Sequence, residues 1–272
     1  MKISVAQLRV SYKNKQDNLQ NLRQLLQQTS SVGDLVLLPE LFSTGYLFAE
    51  AEEIFQLGEP VDNSSTLQAL QLMAAEFNTI LVAGFAEKQG ANLYNSVAVV
   101  SASEVMGVYR KISSTNIDKR YFKRGQDLLV FEHQGVRFGV VICFDLWFPE
   151  IVREYVRQKV DVLLHPANFG GEQSLHIARA RAIENGLYVA TCNRIGEENI
   201  QGIQGFYCGK SQVIDPAGNS LMSLGASEEL KSLDMNINHK TVRTVLGVAL
   251  ESEVEVISTT ANQWTKTLGL PH

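Results

Sequence analysis

The chain has 272 residues, of which 45% are hydrophobic and 19% charged, and its 24 Lys and Arg against 29 Asp and Glu leave a net charge of −5. That composition can bury a large core and excludes a disordered chain, and the charge is too mild for a nucleic-acid partner or a membrane-surface partner. Cys143, Cys192 and Cys208 are odd in number and far apart, which argues against a disulfide framework, and no apolar run approaches the roughly 18 residues of a membrane span.

The opening Met-Lys-Ile-Ser-Val-Ala-Gln lacks the apolar region of a signal peptide, so a cytoplasmic, reduced, enzyme-sized protein is expected. Residues 2–8 read as a strand, and the stripe Leu19, Leu22, Leu25 and Leu26 reads as a helix. A strand over 35–38 lies within Asp34-Leu-Val-Leu-Leu-Pro-Glu40 and ends in a carboxylate. Leu67, Leu70, Met73, Ala74 and Phe77 form a second helical stripe, with Ser64 or Ser65 as its N-cap. Strands are predicted over 80–86, 94–100 and 105–110, and the last ends in the ammonium of Lys111. The basic cluster from Lys119 to Arg124 reads as a solvated or ion-paired loop.

The run Val136-Arg-Phe-Gly-Val-Val-Ile-Cys143 predicts a strand over 136–142 that breaks at a thiol. Pro149 suits the first turn of a helix carrying Ile151, Val152, Tyr155 and Val156. Further strands are predicted over 160–164, 188–193, 206–214 and 229–235, with a helix over 173–185 stopped by Gly186. Asp161-Val-Leu-Leu-His-Pro-Ala-Asn-Phe169 echoes the segment Asp34 to Phe42, which suggests two similar halves facing each other. With helices between the strands, the fold class is α/β, with two sheets packed face to face between helical layers.

Glu40, Lys111 and Cys143 each end a predicted strand, and together they form an acid/base, a cation and a nucleophile. A free thiol has a pKa of about 8.5 and is only a few per cent thiolate at neutral pH, so it needs a base as it attacks. Glu40 supplies that base and Lys111 favours the developing negative charge. The backbone N–H of Phe144, just after the nucleophile, is a candidate oxyanion donor beside Lys111. Trp147, Phe148, Asn168 and Phe169 lie next to these residues in sequence and are candidates to shape a substrate pocket. Cys192 and Cys208 read as core. His133, His165, His176, His239 and His272 are scattered without metal-ligand spacing, so no metal site is expected, and His165 reads as a structural histidine.

These segments resemble the nitrilase (carbon–nitrogen hydrolase) superfamily, amidase-like branch. Leu38-Pro-Glu-Leu-Phe-Ser-Thr-Gly-Tyr46 is similar to its acid motif, Tyr109-Arg-Lys-Ile112 to its lysine motif, and Val141-Ile-Cys-Phe-Asp-Leu-Trp-Phe-Pro-Glu150 to its nucleophile motif. Pro166-Ala-Asn168, Arg179 to Asn185, Cys192 to Gly196 and Gly209 to Gly218 resemble later family segments, so the match runs from residue 2 to about 235. The resemblance implies a four-layer α-β-β-α sandwich in one domain over residues 1–272, with 236–272 as a divergent tail. It implies a homodimer, no cofactor, Glu40 as base, Lys111 as transition-state stabiliser and Cys143 as nucleophile. Tyr46 joins Trp147, Asn168 and Phe169 as an expected substrate-binding residue. Two departures stand out. Asp118 occupies the place of the family's second glutamate, one methylene shorter, and Ile112-Ser-Ser114 replaces the common His-Leu. The expected activity is hydrolysis of a small carboxamide, amide or nitrile being the substrate chemistry the resemblance implies. The rivals are an N-carbamoyl-amine hydrolase, a true nitrilase, an acyltransferase and a non-catalytic binding member.

Overall fold

The computed structural model describes residues 1–237 and 244–260. In chain order the first half builds β1 (Lys2–Gln7), α1 (Lys15–Gln28), β2 (Leu35–Leu37), α2 (Ala51–Leu57), α3 (Ser65–Phe77), β3 (Ile80–Gln89), β4 (Asn92–Val100), β5 (Val105–Arg110) and α4 (Asp118–Tyr121). The second half builds β6 (Val130–His133), β7 (Val136–Val140), α5 (Pro149–Arg157), β8 (Val162–Ala167), α6 (Gln173–Asn185) and β9 (Tyr188–Asn193). There follow β10 (Ile195–Ile200), β11 (Ile203–Cys208), β12 (Gln212–Ile214), β13 (Ser220–Ser223), β14 (Glu229–Asp234), the short pair β15 (Thr244–Val245) and β16 (Val248–Ala249), and α7 (Leu250–Thr260).

Two six-stranded sheets result, ordered β14-β1-β2-β3-β4-β5 and β13-β12-β9-β8-β7-β6. The period-two alternation of each strand divides its side chains between two environments. Ile3, Val5, Leu35, Leu37 and Val82 of the first sheet share one core with Phe138, Val140, Val162 and Leu164 of the second. The intervening residues Ala6, Val36, Leu81 and Ala83 pack outward on Leu22 and Leu26 of α1 and Leu67, Leu70 and Met73 of α3. Val141, Leu163 and Val189 likewise pack on Val152 and Tyr155 of α5 and Ala178 and Ala182 of α6. This is an α-β-β-α layering, with three buried interfaces stacked through the molecule. Each fully buried Leu, Val or Ile contributes roughly 1.5–3 kcal/mol on removal from water, which explains why near-continuous apolar runs dominate the central parallel strands.

The echoed segments take equivalent places: β2 lies between parallel neighbours β1 and β3, and β8 between parallel neighbours β7 and β9. Ser64 caps α3 by accepting from Leu67 N, and Pro149 opens α5, both as expected. Several boundaries differ from the sequence reading. The expected strand over 206–214 is two strands, broken at Gly209, whose φ of 66° lies in the left-handed region. The expected strand over 160–164 begins at Val162 and continues through Pro166 to Ala167. Lys119 and Arg120, expected in a loop, sit on the single turn α4. Strands β6, β10 and β13 and helix α2 had no counterpart in the sequence reading. The tail over 236–272 falls partly outside the described residues, and so do His239 and His272.

Candidate active site

β2 and β3 run parallel, β3 and β4 antiparallel, and β4 and β5 antiparallel, so β5 runs the same way as β2. Glu40 follows β2 and Lys111 follows β5 at the same, carboxyl end of the first sheet, where open α/β sheets hold their ligands. Their side chains meet: Lys111 Nζ lies 2.8 Å from Glu40 Oε1 and 2.9 Å from Asp118 Oδ2. Asn95, on β4 between them, donates to Glu40 Oε1 at 2.7 Å and to Asp118 Oδ1 at 3.4 Å. One oxygen of Glu40 is therefore pinned twice, while its Oε2 is buried and has no partner among the described residues.

Asp118 reaches Lys111 although its side chain is short. It opens α4, where Thr115 N and Thr115 Oγ1 both donate to its Oδ2 at 2.9 Å, and its own N–H donates back to Thr115 Oγ1 at 3.0 Å. The Tyr46 hydroxyl lies 2.8 Å from the same Thr115 Oγ1, and Lys111 Nζ lies 5.8 Å from the centre of the Tyr46 ring. The chain Tyr46, Thr115, Asp118, Lys111, Glu40 is a continuous polar network in a buried setting.

The thiol comes from the other sheet. β7 ends at Val140, and Cys143 begins a 3₁₀ turn, Cys143–Trp147, ahead of α5. Cys143 has φ 45°, a left-handed conformation uncommon outside glycine that costs of order 1–3 kcal/mol and must be held by its surroundings. Asp145 holds it: Oδ2 accepts from Ile142 N at 3.0 Å and from the Tyr109 hydroxyl at 2.8 Å, and Oδ1 accepts from Ser113 N at 2.7 Å. Tyr109 and Ser113 flank Lys111, so one buried carboxylate ties the thiol's turn to the lysine's strand. Arg181 of α6 secures the far end, donating from Nε to Leu146 O at 2.9 Å and from Nη2 to Trp147 O at 3.0 Å.

The Glu40 segment is fixed with similar care. Leu41 has φ 47°, and the chain there crosses directly over Gly84 of β3. A Cβ on Gly84 would meet Leu41 N at 2.4 Å, Pro39 O at 2.6 Å and Glu40 Cα at 2.7 Å, so only glycine admits the approach. Beyond it, Glu198 of β10 accepts from Leu47 N at 2.9 Å and Tyr46 N at 3.2 Å, and is itself paired with buried Arg194 at 2.5 Å.

The electrostatics follow from burial. Burial raises the Glu40 carboxyl above its usual range, an effect that Asp118 reinforces and that Lys111 and Asn95 only partly offset. Burial opposes the charge on Lys111, yet Glu40, Tyr46 and Asp118 together raise its ammonium well above the usual lysine value. Asp118 is pushed up by burial but held below the usual carboxylate range by Lys111 and the Thr115 donors. Burial and the nearby Glu40 charge push the Cys143 thiol up, with Lys111 acting against them. A resting thiol, an ionised lysine and a carboxylate with one open oxygen are the result.

Lys111 thus contacts both Glu40 and Asp118, and the charges of all three act on the Cys143 thiol. The Cys143 thiol lies 3.8 Å from the backbone oxygen of Asn168, and Phe169 packs in the same small apolar cluster as Cys143 and Cys208. Both side-chain polar atoms of Asn168 are buried and meet no partner among the described residues. Trp147 is exposed, packs on Phe144 and donates to Ser174 at 3.2 Å. Asn95, Thr115, Asp145 and Glu198 were missed in the sequence reading. Asn95 carried a usable signal, as a polar residue inside the apolar strand expected over 94–100. No group of His, Cys, Asp and Glu suited to a metal ion occurs among the described residues. No helix among them is long and apolar enough to cross a membrane.

Residues 2–244 match the family model described as Carbon-nitrogen hydrolase. The chain is 35% identical over 231 residues to a nitrilase of Pyrococcus abyssi (strain GE5 / Orsay), covering 84% of this chain and 87% of that protein. It is 30% identical over 238 residues to a citrullinase of Francisella tularensis subsp. tularensis (strain SCHU S4 / Schu 4), covering 80% and 83%. Among solved structures, the amidase from Nesterenkonia sp. AN1 matches with a TM-score of 0.78 and 24% identity, covering 97% of this chain and 99% of that one. That last likeness is one of fold.

Proposed function

The chain belongs to the carbon–nitrogen hydrolase family, and on that premise we propose that it hydrolyses small carboxamides to acid and ammonia through a thioester on Cys143. The observation that carries this reading is the divided environment of Glu40, with Oε1 pinned by Lys111 and Asn95 and Oε2 buried and open. Because the thiol is held protonated, its proton must leave as the sulfur attacks, and Glu40 Oε2 is the acceptor.

The S–C bond forms as the carbonyl π pair moves to oxygen, and the oxyanion is stabilised by the Lys111 ammonium and the Phe144 N–H. Collapse breaks the C–N bond, and protonated Glu40 returns its proton to the departing nitrogen. Ammonia leaves a thioester. Glu40, again ionised, accepts a proton from a water that attacks the acyl carbon, and the proton passes to the Cys143 sulfur as the acid departs. Asp118 keeps Lys111 in place and ionised. Tyr46, Asn168, Phe169 and Trp147 shape the acyl pocket in this reading, Asn168 with an unpaired side-chain amide and Phe169 with an apolar face. Exposed apolar side chains of the C-terminal hairpin and helix, Val245, Leu246, Val248, Val256 and Ile257, support pairing of two copies.

Similarity to relatives named nitrilase and citrullinase favours two alternative substrates, a nitrile and a ureido group. Cys143-Phe-Asp145 and Pro166-Ala-Asn168 resemble amidase segments more than nitrilase ones, which is why the carboxamide is preferred. Product analysis on matched amides, carbamoyl amines and nitriles separates the three. Ammonia and acid from the amide, with the matched nitrile untouched, is the expected outcome. Amine, carbon dioxide and ammonia from a carbamoyl amine, with amides inert, would replace the carboxamide by the ureido reading.

A further inference from the structure

His165 lies on β8 with its ring wholly buried, and both ring nitrogens are engaged. Nε2 is 3.0 Å from the backbone oxygen of Cys143, and Nδ1 is 3.0 Å from Thr191 Oγ1, on the residue that pairs with His165 across β8 and β9. A carbonyl oxygen only accepts, so Nε2 carries the proton. In the neutral ring Nδ1 then accepts, and the Thr191 hydroxyl donates to it. Burial holds the ring's pKa down at about 4, so this single neutral tautomer persists through the working pH range. The ring is also stacked on Phe169, with 14° between planes and 6.4 Å between centres.

The oxygen that His165 grips belongs to the same peptide unit as the Phe144 N–H. No cis peptide bond occurs among the described residues, so this unit is planar and trans, and its N–H points opposite to its C=O. Fixing the Cys143 oxygen toward β8 therefore fixes the Phe144 N–H toward the other side of the turn. Among the described residues that N–H meets no acceptor. A hydrogen bond to the carbonyl also polarises the amide and strengthens its N–H as a donor. The left-handed φ at Cys143 makes such a grip necessary, because the unaided backbone would relax away from it.

We infer that His165 is a positioning residue for the oxyanion hole, acting through the Cys143–Phe144 peptide plane to aim the Phe144 N–H at the developing oxyanion. The inference rests on the thioester reading proposed above. It separates two reactions of the same sulfur. Acylation by p-nitrophenyl acetate passes through a tetrahedral oxyanion and needs the donor. Alkylation by iodoacetamide displaces iodide at a saturated carbon, forms no oxyanion and does not need it.

The test compares the two rates at Cys143 in the full chain for wild type, His165→Leu, His165→Gln and Thr191→Val. In His165→Leu acylation should fall about 100-fold while alkylation stays within about threefold. His165→Gln keeps an N–H that can reach the carbonyl and should retain acylation within about tenfold. Thr191→Val removes the hydroxyl that donates to Nδ1 and holds the ring in place, and should give the same selective loss, about tenfold, on a nearly isosteric background. Equal losses in both reactions across the Leu and Val variants, or no loss in either, would overturn the inference while leaving the thioester reading intact. A wild-type Cys143 that is alkylated but never acylated would overturn the thioester reading and the inference with it.

Discussion

In the proposed mechanism, Glu40 draws its acid–base role from an asymmetry between its two oxygens. Oε1 is committed to Lys111 and Asn95, which keeps the carboxylate oriented, and burial with Asp118 nearby makes the charged form costly. A base must be ionised to act, so activity is present above the carboxyl's raised pKa and lost as pH falls through it. The acid limb of kcat/KM should accordingly lie above the ordinary value of 4.5. Removing a donor to the charged form, as in Asn95→Ala, should move that limb to still higher pH. A pH profile of both proteins checks this, and a limb at or below 4.5 in wild type would remove Glu40 from the role. Lys111, raised well above its usual value, stays charged throughout and supplies no limb in that range. The replacement of the family's second glutamate by Asp118 is absorbed at the same scale. The single turn α4 and the Thr115 donors bring the shorter carboxylate to the lysine.

At the scale of elements, the site depends on how closely one segment crosses another. The Pro39–Leu41 backbone lies against Gly84, and the clashing atoms are all main chain, so no side-chain rotation can relieve an added methyl. Gly84→Ala should displace Glu40 and lower kcat about 100-fold, with a stability loss of about 1–3 kcal/mol. Steady-state kinetics alongside thermal unfolding checks both numbers, and unchanged kcat would show that the crossing does not set the base's position. Strands β2, β5 and β7 were legible because each is a largely apolar run with a change of residue type just beyond it, at Glu40, Lys111 and Cys143. β10 was not legible, since Ile195-Gly-Glu-Glu-Asn-Ile200 is polar and Glu198 is buried only because Arg194, Tyr207 and the Tyr46–Leu47 amides converge on it. Asp145 sits within a segment that was found, but its bonds to Tyr109 and Ser113 come from elsewhere in the chain, and no local pattern announces them. His165 was read as structural, and its link to the Cys143 peptide depends on β8 lying beside the turn that follows β7.

Across the whole molecule, the candidate active site lies where the two sheets meet. Glu40, Lys111 and Asp118 come from the first sheet and its connections, and Cys143 comes from the second. The shared core of Ile3, Val5, Leu35 and Leu37 against Phe138, Val140, Val162 and Leu164 holds the two sets in register. Asp145, bonded to Tyr109 and Ser113, is the polar bridge between them beside the chemistry. The layered architecture was legible from alternating apolar runs with helices between them, whereas the meeting of the two strand-end sets could only be inferred from residue types. In the proposed mechanism, this meeting makes Cys143 a nucleophile that carries the acyl group. Mass spectrometry of protein acid-quenched during turnover of a small carboxamide tests it most directly. The expected result is an acyl adduct on the peptide containing Cys143 and on neither Cys192 nor Cys208, with Cys143→Ala folded, unmodified and inactive. Turnover that persists in Cys143→Ala, or an adduct carried by another residue, would contradict it.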